Sequence, residues 1–206
     1  MTLKEIQYLQ MHALMDVLSS ALKQFHEYTR AHSVAVSNMN VVLATHVRPG
    51  LSMQVLQEYA AGGALHDIGK LAVPTQTLNA TGTTLTDSEW ASLYSHPTRG
   101  VQIVVDTGLY VPQIVRDCIE FHHERWDGRQ DCQRPGYPRG LQGTAIPLCA
   151  RITAVADTWD AITTSRSYQQ ARPPAEALTL LQSLAGNRLD PELVTLFIQK
   201  IAPTLR

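Results

Sequence analysis

The chain has 206 residues, enough for one well-buried domain and too few for a second full one. Seventeen basic against eighteen acidic residues leave a formal net charge of -1, so there is no basic field of the kind duplex nucleic acid requires. Three cysteines, odd in number and without a Cys-x-x-Cys pair, argue against a disulfide framework and for a reducing compartment, so the cytoplasm is the expected location.

The opening residues Met1-Thr2-Leu3-Lys4-Glu5 lack the basic segment and apolar core of a secretory signal. No apolar run reaches the ~20 residues a membrane span needs, and a soluble protein is expected. Leu14, Val17, Leu18, Ala21, Leu22 and Phe25 recur at spacings of three and four, which predicts an amphipathic helix. Residues 1–28 are read as an N-terminal helical segment that packs, relays a signal or meets a second copy in a homodimer. His12 and His26 ride on it without a role in chemistry. Residues 29–206 are read as the main domain.

A second helix is expected over residues 29–46, with Val34, Met39, Val42 and Leu43 on its apolar side and Pro49-Gly50 ending it. His32 sits near its start. Residues 51–65 read as a third helix, with Val55, Leu56 and Tyr59 inward, and small Ala60, Ala61, Gly62, Gly63 and Ala64 allowing close helix approach. Residues 75–84 are polar and predict a loop. Thr86 and Glu89 form a capping box that starts a helix delivering His96 just before Pro97. Residues 111–125 predict a helix through Ile114, Val115, Cys118, Ile119 and His122, and residues 147–165 another that carries Asp157 and Asp160 on one face. Pro173-Pro174 opens a helix that Gly186 stops, and Asp190 caps the next. Helix follows helix without alternating strand pairs, so the fold class is all-α, a multi-helix bundle.

The chemistry centres on His66-Asp67-Ile68-Gly69-Lys70, where an imidazole and a carboxylate are adjacent and an ammonium follows about one helical turn later. Such a pair alone is usually a surface feature or a satisfied core group. Further ligand types follow at separated positions, namely His96, His122, His123 and Asp157, with His32 upstream, so five of the eight histidines fall where they could converge. Tandem histidines are seldom needed for packing. Nitrogen and oxygen donors of this kind suit iron, manganese or zinc.

These stretches resemble the HD-GYP domain phosphodiesterases of the HD superfamily of metal-dependent phosphohydrolases. The matching runs are His66-Asp67-Ile68-Gly69-Lys70-Leu71-Ala72-Val73-Pro74, Ser95-His96-Pro97, His122-His123-Glu124-Arg125-Trp126-Asp127-Gly128, Gly136-Tyr137-Pro138-Arg139-Gly140-Leu141 and Ala156-Asp157-Thr158-Trp159-Asp160-Ala161. They occur in family order over residues 29–201. The resemblance implies an HD-superfamily helical bundle with its metal site in a core cleft. One ion would lie near His32, His66, Asp67 and Asp157, and another near Asp67, His96, His122 and His123. It implies iron or manganese ahead of zinc, and hydrolysis of cyclic di-GMP through linear pGpG to GMP. Two such ions ~3.5–4 Å apart, bridged by Asp67, suit in-line displacement at phosphorus. Lys70 would steady a phosphoryl or leaving oxygen, with Tyr137, Arg139 and Arg166 as substrate contacts. Asp160 is open between orienting a ligand and being solvated.

Three departures from the family stand out. Tyr28 occupies the place of a glutamate found in members holding a third ion, so two ions are expected. Residues 129–135 separate two elements that are almost contiguous in the family, which predicts a longer surface loop. Gln169 stands where a basic residue is usual, so phosphate holding is weakened. Two alternatives remain beside cyclic di-GMP hydrolysis: another cyclic dinucleotide as substrate, and a weakly active module that binds a diguanylate cyclase (GGDEF) partner through Gly136-Tyr137-Pro138.

Overall fold

The computed structural model describes residues 1–25, 27–80, 85–132, 134–165 and 171–205. Along them run α1 (Leu3–Phe25), α2 (Glu27–Val47), α3 (Met53–Leu65), α4 (Thr75–Asn79), α5 (Asp87–Tyr94), α6 (His96–Asp106), α7 (Gln113–Phe121), α8 (Leu148–Thr163), α9 (Pro174–Ser183) and α10 (Pro191–Leu196). Among the described residues there is no β-strand, only an isolated bridge between Ala185 and Leu189, and the all-α class holds. No described helix is long and apolar enough to cross a membrane.

Local chemistry sets several helix ends. The Glu89 amide donates to Thr86 Oγ1 (3.4 Å) while the Thr86 amide donates to Glu89 Oε2 (2.8 Å), the expected reciprocal cap of α5. Asp190 Oδ1 accepts from the amides of Glu192 and Leu193 at 2.9 and 3.4 Å and opens α10. α7 is shorter than expected, because Pro112 stands at its N-cap and His122 already lies at its C-cap. The stretch expected as a loop after Pro74 forms the short helix α4, anchored by buried Thr77, before residues 81–84, which fall outside the described set.

α3 is the centre of the packing. One side of it meets a core of Val36, Leu43, Tyr59, Ile152, Val155, Leu181, Val194 and Phe197. Its other side meets a core of Met11, Leu14, Leu18, Ala61, Leu65, Ile68, Val115 and Ile119. Each fully buried Leu or Ile there stabilises by roughly 2 kcal/mol. The small residues of α3 act as expected. A Cβ on Gly63 would lie 2.9 Å from Ser37 Cα on α2, and one on Gly62 would lie 2.8 Å from Cys118 Cβ on α7. α2, α3 and α7 therefore meet almost backbone to backbone, and each carries or ends at a histidine of the candidate site.

Three apolar assignments are corrected. Val17 is 66% exposed, Val34 51% and Val42 37%, so none faces the core. In α1 the inward stripe is Met11, Leu14 and Leu18. In α2 it is His32, Ser33, Val36, Asn40, Leu43 and Ala44. On that stripe Asn40 Nδ2 donates to Tyr59 O (3.2 Å) and to Thr153 Oγ1 (2.9 Å). A hydrophobic count could not place a face that contains Asn40 and His32. Leu22, Phe25 and Tyr28 have side chains outside the described set, as does His26 altogether.

Candidate metal centre

The 3₁₀ turn Ile68–Ala72 seats Asp67 against the start of α6. Gly69 makes this possible, since a Cβ there would stand 1.8 Å from His96 O and 2.6 Å from Gly100 N. His32 comes from α2, His66 from the end of α3, His96 from the first residue of α6, His122 and His123 from the end of α7, and Asp157 from α8. The ligand atoms of Asp67, His96, His122 and His123 lie within 4.8 Å of one another, and so do those of His32, His66 and Asp67. Asp157 Oδ1 is 3.3 Å from His32 Nε2. The structure thus brings together all seven residues named as ligands.

Hydrogen bonds fix the histidine tautomers. Nδ1 of His66 donates to Gly63 O (2.7 Å), that of His96 to Leu93 O (2.7 Å), and that of His122 to Cys118 O and Ile119 O (3.0 Å each). A carbonyl oxygen only accepts, so the proton sits on Nδ1 and each Nε2 presents a lone pair. Those lone pairs converge: Nε2 of His96 and His122 are 3.4 Å apart, and Asp67 Oδ1 lies 3.3 Å from the first and 3.9 Å from the second. Asp67 Oδ1 is buried and has no hydrogen-bond partner. Electron pairs facing one another in a dry site repel unless a cation stands among them. Asp67 Oδ2 faces the other way, 3.4 Å from His66 Nε2 and 3.9 Å from His32 Nε2. The donor set therefore fits divalent metal, with one carboxylate oxygen turned to each group of imidazoles.

The electrostatics follow the same division. Burial opposes charge on Asp67, but Lys70 and His66 outweigh it and hold the carboxyl well below the usual range. Burial likewise opposes charge on Asp157, and the hydrogen bond and charge of His32 overcome it. His32 lies between Asp157 and Asp160, whose hydrogen bonds override burial and push it up to about 9. Burial together with the neighbouring imidazoles pushes His122 down to about 3 and His123 well below its ordinary value, so both stay neutral as ligation requires.

Asp160, left open by the sequence, accepts from His32 Nδ1 at 2.6 Å and orients that ring. Lys70, a third exposed, holds Asp67 Oδ2 at 2.5 Å, on the side its spacing implied. Tyr137 is sandwiched, with its ring centroid 4.7 Å from His123 in a stacked arrangement and 4.6 Å from Tyr94. Its face is turned to a ligand candidate rather than to open solvent. Arg139 lies exposed on Glu120 (2.6 Å) instead of at the cluster. Arg166 and Gln169 lie outside the described residues. Residues 129–132 and 134–135 form no helix and are largely exposed, in keeping with the expected surface loop.

Two contributors had no role assigned from sequence. Buried Glu124 accepts from the amides of Arg139 (2.7 Å) and Leu141 (2.9 Å), tying the Gly136-Tyr137-Pro138 loop to the end of α7. Its place directly after the tandem histidines was the available signal. Tyr94 on α5 closes the stack on Tyr137, and nothing in its spacing marked it.

Fold and cluster together define a helical domain built to hold divalent metal. Residues 12–193 match the family model described as HD domain, and the chain belongs to that family. It is 38% identical over 180 residues to a cyclic di-GMP phosphodiesterase of Pseudomonas aeruginosa, covering 87% of this chain and 41% of that protein. It is 36% identical over 135 residues to a 3'3'-cGAMP-specific phosphodiesterase of Vibrio cholerae, covering 66% of this chain and 24% of that protein. The chain thus spans less than half the length of these curated relatives. In fold it is similar to the HD domain of the L. monocytogenes phosphodiesterase PgpH in complex with cyclic-di-AMP, with a TM-score of 0.65, 16% identity, and coverage of 91% of this chain and 94% of that one.

Proposed function

We propose that the chain is a metal-dependent phosphodiesterase that hydrolyses cyclic di-GMP through pGpG to GMP in the cytoplasm. In this reading it holds two divalent ions, iron or manganese, one with His32, His66, Asp67 and Asp157 and the other with Asp67, His96, His122 and His123. The observation that carries the reading is Asp67, whose orphaned Oδ1 and oppositely directed Oδ2 each face a separate set of imidazoles. An all nitrogen and oxygen donor set without thiolate is in keeping with iron or manganese. When bound, the ions supply Lewis acidity to the phosphoryl group and to the attacking water.

The protein's own residues do the rest. The fixed Nδ1 protons keep the imidazoles from turning, so the site is preorganised before substrate arrives. Lys70, a third exposed, reaches onto Asp67 and offers an ammonium to a phosphoryl or departing oxygen. Arg139 and Arg166 are proposed phosphate anchors, exposed Arg139 by swinging off Glu120. Tyr137 acts on the substrate through His123, which it stacks against and positions. The rival reading, a module that binds a diguanylate cyclase domain through the Gly136-Tyr137-Pro138 loop, gains nothing from a ring held inward between Tyr94 and His123.

The test is metal analysis of anaerobically purified protein together with hydrolysis of cyclic di-GMP and of 3'3'-cGAMP. Two ions per chain, GMP as end product, loss of turnover on chelation and its return with Fe²⁺ or Mn²⁺ are expected. Faster cutting of 3'3'-cGAMP would move the substrate assignment. A loaded protein that cuts neither while binding a cyclase domain would put the adaptor in place of the enzyme.

A further inference from the structure

Four of the five candidate histidine ligands have a ring held by a hydrogen bond at Nδ1: His32 to Asp160, His66 to Gly63 O, His96 to Leu93 O, and His122 to Cys118 O and Ile119 O. Among the described residues the ring of His123 has none. The rings packed on it are those of its fellow ligands His122 (centroids 4.1 Å apart) and His96 (5.0 Å), and that of Tyr137, stacked at 4.7 Å with 27° between the planes. The Tyr137 amide also donates to His123 O (3.3 Å). The orientation of His123 therefore depends on what holds Tyr137.

Both backbone groups of buried Gly136, the residue before Tyr137, are taken up by the inserted loop. The Gly136 amide donates to Arg129 O (3.2 Å), and Gln130 Nε2 donates to Gly136 O (3.0 Å). The Gln130 side chain also lies on Gly140, where a Cβ would stand 2.8 Å from Nε2. The loop is tied to the domain in turn. Arg125 forks onto Asp127 at 2.8 and 2.6 Å, Asp127 Oδ1 accepts from the Arg129 amide (3.1 Å), and Arg125 Nη1 donates to Arg134 O (3.4 Å). One ion pair thus clasps the loop near both its ends. A ring without a hydrogen bond of its own has to be ordered when metal binds, and packing that orders it beforehand removes that cost. We propose that the inserted loop is a brace for Tyr137, and that Gln130, acting through Gly136 and Tyr137, is a positioning residue for His123 and so for the ion held with Asp67, His96 and His122. The inference rests on the two-ion reading above and gives the insertion a part in it.

The experiment titrates the full chain, stripped of metal, with Mn²⁺ in a calorimeter. His123→Ala identifies which of the two affinities belongs to the His123 set, because that one should be lost. Gln130→Met keeps the length of the side chain on Gly140 but offers Gly136 O no donor. It should weaken the His123-set affinity about threefold to tenfold, as loss of one hydrogen bond does, and leave the other within about twofold. Gln130 is itself exposed, so the variant should melt within a few degrees of wild type. In a Tyr137→Ala background Gln130→Met should have no further effect on metal, since the ring through which it acts is gone. Unmoved affinities in Gln130→Met, an equal fall in both, or an undiminished effect without Tyr137 overturns the inference and leaves the two-ion reading standing. A wild type that binds fewer than two Mn²⁺ removes that reading, and this inference with it.

Discussion

Asp67 offers a different oxygen to each half of the cluster, and an amide cannot do the same, because its nitrogen is a donor with no charge to share. Asp67→Asn keeps the volume, so folding should survive while at least one ion and more than a hundredfold in kcat are lost, above about 2.7 kcal/mol of transition-state stabilisation. Metal analysis beside kcat checks this, and two ions with wild-type turnover would end the binuclear proposal. Asp160→Asn should act more gently. It removes the carboxylate that orients His32 (2.6 Å), so metal affinity should fall about tenfold to a hundredfold without loss of fold. Metal titration reads it directly, and unaltered affinity would reduce Asp160 to a packing group. The gathering of the seven candidate ligands was legible because ligation accepts few residue types. Asp160, Tyr137 and Arg139 were not, since their partners, His32, His123 with Tyr94, and Glu120, come from distant parts of the chain that only folding brings together.

Helix ends were easier to foresee than helix faces. The Thr86–Glu89 box and the Asp190 cap are local hydrogen-bond arrangements, complete within a few residues, so sequence specifies them. The inward face of α2 is set by what ligation and buried amide pairing need at His32 and Asn40, and hydrophobic spacing pointed wrongly to Val34 and Val42. Glycines separate two kinds of constraint that sequence presents alike. Gly186, with φ near +79° and open space around it, ends α9 through backbone conformation, and Gly186→Ala should cost only about 1 kcal/mol. Gly69→Ala must instead displace the backbone of α6 at His96, which has no rotamer to relieve it. Destabilisation of about 3 kcal/mol or more is expected, with metal binding lost in parallel because Asp67 and His96 move apart. Denaturant unfolding of the two variants measures the contrast, and equal small costs would show that the 3₁₀ turn yields freely.

At the scale of the whole molecule, the sequence suggested a division at residue 28, whereas the packing runs across it. Met11, Leu14 and Leu18 of α1 sit in the same core as Ala61, Leu65 and Ile68, and Ile68 directly follows Asp67. Burying three such side chains stabilises by roughly 6 kcal/mol, comparable to the whole net stability of many domains, about 5–15 kcal/mol. A chain cut to residues 29–206 should therefore expose Leu65 and Ile68, lose cooperative thermal unfolding and fail to load metal, although it retains every residue named as a ligand. Melting followed by circular dichroism, with metal analysis of whatever soluble fraction remains, tests this. Should the shortened chain melt cooperatively within a few degrees of the full one and bind the same metal, α1 would be a detachable segment, free to serve as the relay or dimer contact that its amphipathic pattern also allowed.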